Sequence, residues 1–297
     1  MTVDEGGPAL LIRAGFEIAI RCDTETSLLC ALSPRPEVRP VLGDGAVRTD
    51  SRLPVQTYVD SFGNRLTRLE NPGDLVTLTS DFVVEDSGEP DDVHPWAQRV
   101  PIGHLPAETL RFLLPSRFVE SDLLSGDAWA RFGQIEEGWA QVQAVCDFVH
   151  NHIEFGYVHG RPTKTALDAY REGQGVCRDF AHLAIAFYRA LNIPARYCSG
   201  YIGDIGVPYA GPMDFCAWFE VYLGGRWYTF DARYNTPRIG RILMVRGMDA
   251  ADVSMIMSYG AHRMEKFEVW CDEIAAGRTL DDLKGEMRVP VVGIAAA

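Results

Sequence analysis

The sequence predicts an α+β protein: an N-terminal all-β, sandwich-like domain followed by a core of helices packed on an antiparallel sheet. Three features lead there. Up to Asp86 the chain is written in short alternating or apolar runs parted by turn-forming residues; after Pro115 apolar residues fall at helical spacing; and strands with a hairpin signal follow those helices. At 297 residues and 47% hydrophobic, the chain is long enough for two cores. The expected division is a β domain over 1–88, a linker or surface loop over 89–115, and a core with a C-terminal extension over 116–297.

In the first domain "FEIAI", "VQTYVD", "RLTRLE" and "LVTLTSDFVVE" read as strands, with "SFGN" and "NPGD" as the turns between them. "DSGEPDDVHPWAQRVPIGHLP" has turn formers and no period, which predicts a loop; its acidic "EDSGEPDD" lacks the spacing of a calcium loop and reads as a solvated linker. Ile135, Trp139, Val142, Cys146 and Val149 predict an amphipathic helix ending near His150 to His152. In "TKTALDAYREG", Thr165 caps a short helix with Asp168 in its first turn, and Gly173 ends it. A helix from about Arg178 to Leu191 stops at Asn192, before Pro194. The strands "ARYCSGY", "AWFEVYL" and "RWYTFDA" come next, and Gly224-Gly225 make a two-residue turn between the last two; "RILMV" and "KFEVWCDEI" are expected to extend the same sheet.

A formal net charge of -13 leaves no basic stripe to neutralise phosphates, so nucleic acid is not an expected partner. No stretch reaches the roughly 18 apolar residues of a membrane span, and "MTVDEGG" lacks the basic region of a signal peptide, so a cytoplasmic location without membrane contact is expected. The seven cysteines are odd in number and hold no CxxC pair, which favours reduced thiols over a disulfide framework or zinc knuckle.

Cys177 opens the most apolar helix. Unpaired amides at a helix N-terminus favour thiolate over thiol, Arg178 adds positive charge beside it, and the glycines of "EGQG" let the backbone approach closely. Equally, a cysteine can be a small apolar residue starting a core helix. The hairpin bears on that choice. With Leu223 opposite Arg226, Trp218 falls opposite Asp231 and Cys216 opposite Arg233. Ala217, Phe219, Val221, Leu223, Tyr228, Phe230 and Ala232 then form a core face. Cys216, Trp218, Glu220, Trp227, Thr229, Asp231 and Arg233 share the other, where Asp231 either orients a base at position 216 or, on a solvated face, pairs with Arg233 or caps the next turn.

"GVCRDFAHLAIAFYRALNIPARYCSGY" followed by "MDFCAWFEVYLGGRWYTFDARYN" resembles the transglutaminase-like family, the bacterial branch of the papain-related cysteine enzymes, and the N-terminal strands resemble the β domain that often precedes that core. The resemblance implies a Cys-His-Asp triad in which a thiolate attacks an amide carbonyl, the histidine moves the proton and the aspartate holds the imidazole. Cys177 takes the nucleophile's position and Asp231 the aspartate's, while Cys216 occupies the histidine's. Gln174 and Arg178, flanking Cys177, and Trp218, beside the base position, are the expected substrate contacts. His159 is the first substitute for the missing base; His182 lies about 140° around the helix from Cys177, His150 and His152 are expected on the carbonyls of their helix end, and His94, His104 and His262 have no motif around them.

The implied activity is thiol-dependent amide chemistry: peptide or isopeptide hydrolysis, or acyl transfer from a glutamine-like amide, on a peptide or protein substrate. No metal or organic cofactor is implied. A metal held by Cys177, Cys216 and a histidine has no ligand spacing behind it. The rival reading is a catalytically silent peptide-binding module that keeps the cleft. A third is redox control through a Cys177–Cys216 disulfide, transient in a reducing compartment.

Overall fold

The computed structural model describes residues 10–50, 53–209, 211 and 213–289. The chain opens with β1 (Leu10–Cys22), β2 (Glu25–Cys30), β3 (Pro40–Leu42), β4 (Arg48–Thr49), β5 (Gln56–Val59), β6 (Arg65–Pro72) and β7 (Leu75–Asp86). After α1 (Ala107–Leu110), α2 (Ser125–Phe132) and α3 (Trp139–His152), the short β8 (Glu154–Phe155) leads to α4 (Ala166–Glu172), β9 (Gln174–Gly175) and α5 (Cys177–Ala190). Then come β10 (Ala195–Ile202), β11 (Cys216–Leu223), β12 (Arg226–Phe230), β13 (Arg241–Gly247), β14 (Ile256–Ser258), β15 (His262–Glu273) and α6 (Leu280–Lys284).

β1 shows why the first region is a sandwich. Ile12, Ala14, Phe16, Ile18, Ile20 and Cys22 are buried at every second position, while Arg13, Glu17 and Arg21 stay partly exposed. Its sheet runs β15-β1-β7-β3 with β4 also on β7, and a second runs β14-β2-β6-β5. "KFEVWCDEI" therefore does not extend the helical core's sheet as expected; it lies in β15, antiparallel to β1. The register sets Cys271 against Ala14 and Val269 against Phe16, all four buried, so β15 prolongs the apolar face of β1. The segment expected as a C-terminal extension of the core thus closes both N-terminal sheets.

"RILMV" does join the other sheet, as β13, in the order β12-β11-β10-β13. α5 packs on β11 and β10 and is enclosed by α2, α3 and α4, so Phe180 through Arg189 are buried on every face of the helix. α4 keeps its predicted ends: the Thr165 hydroxyl accepts from Asp168 N, and Gly173 follows the last turn. α3 begins at Trp139, one turn after Ile135, because the backbone there is anchored from outside: the Trp139 amide donates to Ala97 O at 2.9 Å. The 89–115 loop is not a purely solvated linker. Asp91 accepts from Arg241 Nε at 2.8 Å and Asp92 pairs with Arg226, which straps the loop onto the sheet. Among the described residues no helix is long and apolar enough to cross a membrane.

The hairpin follows the predicted register, from Leu223↔Arg226 to Phe219↔Phe230. Gly224 and Gly225 take φ of 56° and 92°, the left-handed conformations that a tight two-residue turn demands. The face of Ala217, Phe219, Val221 and Leu223 lies in the core. The opposite face is also buried at Cys216, Trp218 and Glu220, which corrects the solvated-face alternative.

Glu220 is held there between Arg196 and Arg246, and Arg246 reaches on to Glu37 of the N-terminal region. Burial alone would raise the Glu220 carboxyl, but the two guanidiniums outweigh it and hold it below the usual carboxylate value. Glu220→Ala would leave two half-buried cations facing each other, with only Arg246 keeping a partner in Glu37, and urea unfolding at neutral pH should show a loss of about 3 kcal/mol. Because the folded value is lowered, this contribution is complete above the unfolded carboxylate pKa of about 4.3 and disappears as pH falls through the folded value. The variant and the parent should therefore converge in acid.

Candidate active site

The approach to Cys177 is built by close backbone packing. β9 pairs in parallel with β8, and a side chain at Gly175 would collide with Asp179 Cβ at 2.7 Å. Asp179 uses that space to accept the Val176 amide at 3.0 Å, which fixes the first turn of α5. Arg178 donates to Asp179 Oδ1 from Nε at 3.2 Å and from Nη2 at 3.0 Å, and Nη2 also reaches Arg161 O at 2.6 Å. Arg178 thus clamps the helix start to the loop before it, and its charge is spent on Asp179.

The Cys177 sulfur faces the start of β11, where the Ala217 amide donates to it, and Arg233, Asp214 and Asp231 are the charged groups around it. Burial pushes this thiol up to about 11, with the Ala217 amide and the Arg233 cation only partly offsetting the lost hydration. The rise is opposite in direction to the depression expected from the helix end and Arg178, and Arg178 is turned to Asp179 instead of the sulfur. Cys177 is nevertheless half-buried, whereas the other six cysteines, all free thiols, are buried. In brief iodoacetamide labelling mapped by mass spectrometry, Cys177 should be modified first, with a rate still climbing beyond about pH 9. A plateau below that pH would mean that the helix end prevails.

Position 216 is beside Cys177, as the motif implies. Cys216 Sγ lies 3.9 Å from Arg233 Nη1 and 3.9 Å from Asp214 O, and its carbonyl accepts the Ser199 hydroxyl at 2.9 Å. Burial, with the neighbouring Cys177 adding to it, drives the Cys216 thiol far above its ordinary range. Asp231 follows the last residue of β12, and its carboxylate is fully engaged. Oδ1 accepts the amides of Arg233 at 2.9 Å and Tyr234 at 3.2 Å, while Oδ2 accepts from both Arg241 Nη atoms at 3.2 Å. Capping of the next turn was one of the expected alternatives; the pairing is with Arg241, not with Arg233.

A cavity of about 550 Å³ opens onto Cys177, with Arg178, Tyr197, Ser199, Asp214 and Ala217 around the thiol. Of the expected substrate contacts only Arg178 borders it. Trp218 is buried with Cys198, Ile202 and Cys216, and Gln174 sits in β9, where its carbonyl accepts from Lys164 Nζ at 2.9 Å. His159 does not border the cavity either: its ring lies against Gly156. His182 accepts the Ala250 amide at 3.2 Å and stacks on Phe118, and burial lowers it to about 3, so it stays neutral. His150 Nδ1 donates to the carbonyls of Ala232 and Arg233 at 3.1 and 3.0 Å, and His152 Nε2 to Tyr170 O at 2.6 Å; both reach neighbouring segments instead of their own helix end.

His262 does border the cavity, with Nδ1 2.6 Å from Ser258 Oγ. It had no motif around it, and only the folding of β15 onto β1 brings it there. Asp214, two residues before Cys216, was missed too; its carboxyl is raised by burial and steadied by the Phe215 amide and Arg233. Among the described residues no three His, Cys, Asp or Glu side chains converge as a metal site.

Residues 130–232, which run from the end of α2 through Cys177 to the hairpin, match the model of the transglutaminase-like superfamily. The chain carries a transglutaminase-like core. A protein of Cytophaga hutchinsonii, described as a "putative cysteine protease", has a crystal structure that superposes with a TM-score of 0.79 at 28% identity, over 92% of this chain and 93% of that one. Its likeness thus includes the β-rich regions on both sides of the transglutaminase-like core. An uncharacterized protein of Mycobacterium leprae is 26% identical over 238 residues, 75% of this chain and 82% of its own length. The periplasmic domain of TgpA from Pseudomonas aeruginosa matches more distantly, at 16% identity and a TM-score of 0.37, over 78% of this chain and 92% of that domain.

Proposed function

We propose that Cys177 is the nucleophile of a thiol-dependent amide reaction, peptide or isopeptide hydrolysis or acyl transfer from a glutamine-like amide, with an altered base. The observation that carries this reading is the sulfur itself: half-buried at the start of α5, open to a substrate-sized cavity, and faced by the hairpin that bears positions 216 and 231. In the reaction, sulfur bonds to the amide carbonyl carbon, the amine departs with a proton to leave a thioester, and water or a second amine then displaces the thiol.

Asp214 is the carboxylate bordering the cavity nearest this chemistry, and we assign it the proton relay in place of the absent imidazole. A carboxylate is a weak base for a thiol near 11, so turnover relayed by Asp214 should be slow at neutrality; thiolate formed directly by hydroxide should then take over, raising the rate by up to about tenfold per pH unit towards pH 10, with the departing amine taking its proton from water. The second reading, a silent peptide-binding cleft, is favoured by the buried thiol at position 216 and by the saturation of Asp231 with Arg241 and turn amides. Assaying ammonia release and amine incorporation on glutamine-containing peptides across that pH range separates the two. Turnover with the stated slope supports the enzyme, and peptide binding without any turnover supports the silent cleft.

A further inference from the structure

Strands β14 and β15 lie outside the matched residues 130–232, yet they form one wall of the cavity. Met255, Ile256, Met264 and Phe267 line it, and Met255, Met264 and Phe267 are 36%, 45% and 37% exposed. Tyr157, 60% exposed, faces the same space. This is uncovered apolar surface gathered beside a thiol, not scattered singly over the protein.

The charged groups of the cavity are already committed elsewhere. Arg161 pairs with Asp168 at 3.0 Å and Glu172 at 2.7 Å, and Arg178 with Asp179 at 3.0 Å. His262 is bonded to Ser258. Among the described residues the one carboxylate bordering the cavity, Asp214, lies by the thiol under the influence of Arg233 and not on the β14–β15 wall. An acidic side chain entering here would meet no free cation on a chain of net charge -13, and a basic one would find no acid on this wall.

We propose that the β14–β15 wall is a specificity pocket for a large apolar side chain, such as Phe, Leu or Met, flanking the reacting amide of a peptide substrate. This rests on the reading of Cys177 as the nucleophile for the identity of the amide, but the pocket itself binds whether or not chemistry follows. β14 and β15 therefore set which peptides reach the thiol.

The test uses the full chain carrying Cys177→Ala, so that no turnover intervenes, and fluorescent glutamine-containing hexapeptides differing only in the residue beside glutamine: Phe, Leu, Asp or Lys. Kd for the Phe and Leu peptides should be at least about tenfold lower than for the Asp and Lys peptides. Met255→Gln with Met264→Gln, its fold checked by near-UV circular dichroism, should erase most of that difference while leaving the Asp and Lys peptides unchanged. Equal affinities across the series, tighter binding of a charged peptide, no binding of any peptide at millimolar concentration, or a preference untouched by the double substitution would each overturn the proposal. Preference without turnover in the parent would remove the proposed enzyme activity and leave the pocket standing; turnover without preference would do the reverse.

Discussion

Cys216→His should raise amide turnover by about a hundredfold at neutral pH, the usual contribution of a positioned general base. The substitution puts an imidazole beside Cys177 on the hairpin that already carries Asp231. The nearby Arg233 cation, 3.9 Å from the present sulfur, would disfavour imidazolium and keep the ring ready to accept the thiol proton. The cost is steric. Cys216 is buried with Cys198, Ile202 and Trp218, and enlarging it should lower stability by about 1–3 kcal/mol, so thermal unfolding must accompany the kinetics. The pH profile distinguishes this role from mere repacking: the steep rise of the parent should flatten towards neutrality. A folded variant with the parent's rate and slope would show that an imidazole at position 216 cannot reach the thiol.

Cys177→Ala should abolish the reaction in both backgrounds. In the Cys216→His protein the fall should be about a thousandfold or more, because removing a nucleophile leaves only binding and whatever polar stabilisation the cavity offers. Peptide affinity should change little, since one sulfur is a small part of a cavity of about 550 Å³. Retained turnover in the alanine protein would move the chemistry to another group, with His262 the first to examine because it shares the cavity.

Local rules carried much of this fold. Gly224-Gly225 and strict alternation were enough to predict which hairpin residues enter the core, and Thr165 with Asp168 marked the start of α4. What escaped were relations between distant segments. Nothing near "KFEVWCDEI" tells it to pair with β1, which it meets across nearly the whole chain, and His262, Met264 and Phe267 reach the cavity by that pairing alone. Arg241 was invisible as the partner of Asp231 for the same reason. Cys177 failed differently. A helix end favours thiolate, but how deeply the sulfur is buried could not be weighed from residue types, and that burial raises the thiol. Arg178 was read as the thiol's cation because it is adjacent in sequence; the backbone instead turns it to Asp179 and brings Arg233 to the sulfur.

Whether the cleft presents a peptide amide to the Cys177 sulfur can be read from a glutamine-mimicking peptide with an electrophilic carbonyl and a label, incubated with the unaltered protein at neutral pH and mapped by tandem mass spectrometry. A single adduct on Cys177 is expected, formed faster than with a small alkylating agent of equal reactivity and suppressed by excess unlabelled peptide. Adducts spread over several cysteines, or a Cys177 adduct indifferent to competing peptide, would contradict such presentation.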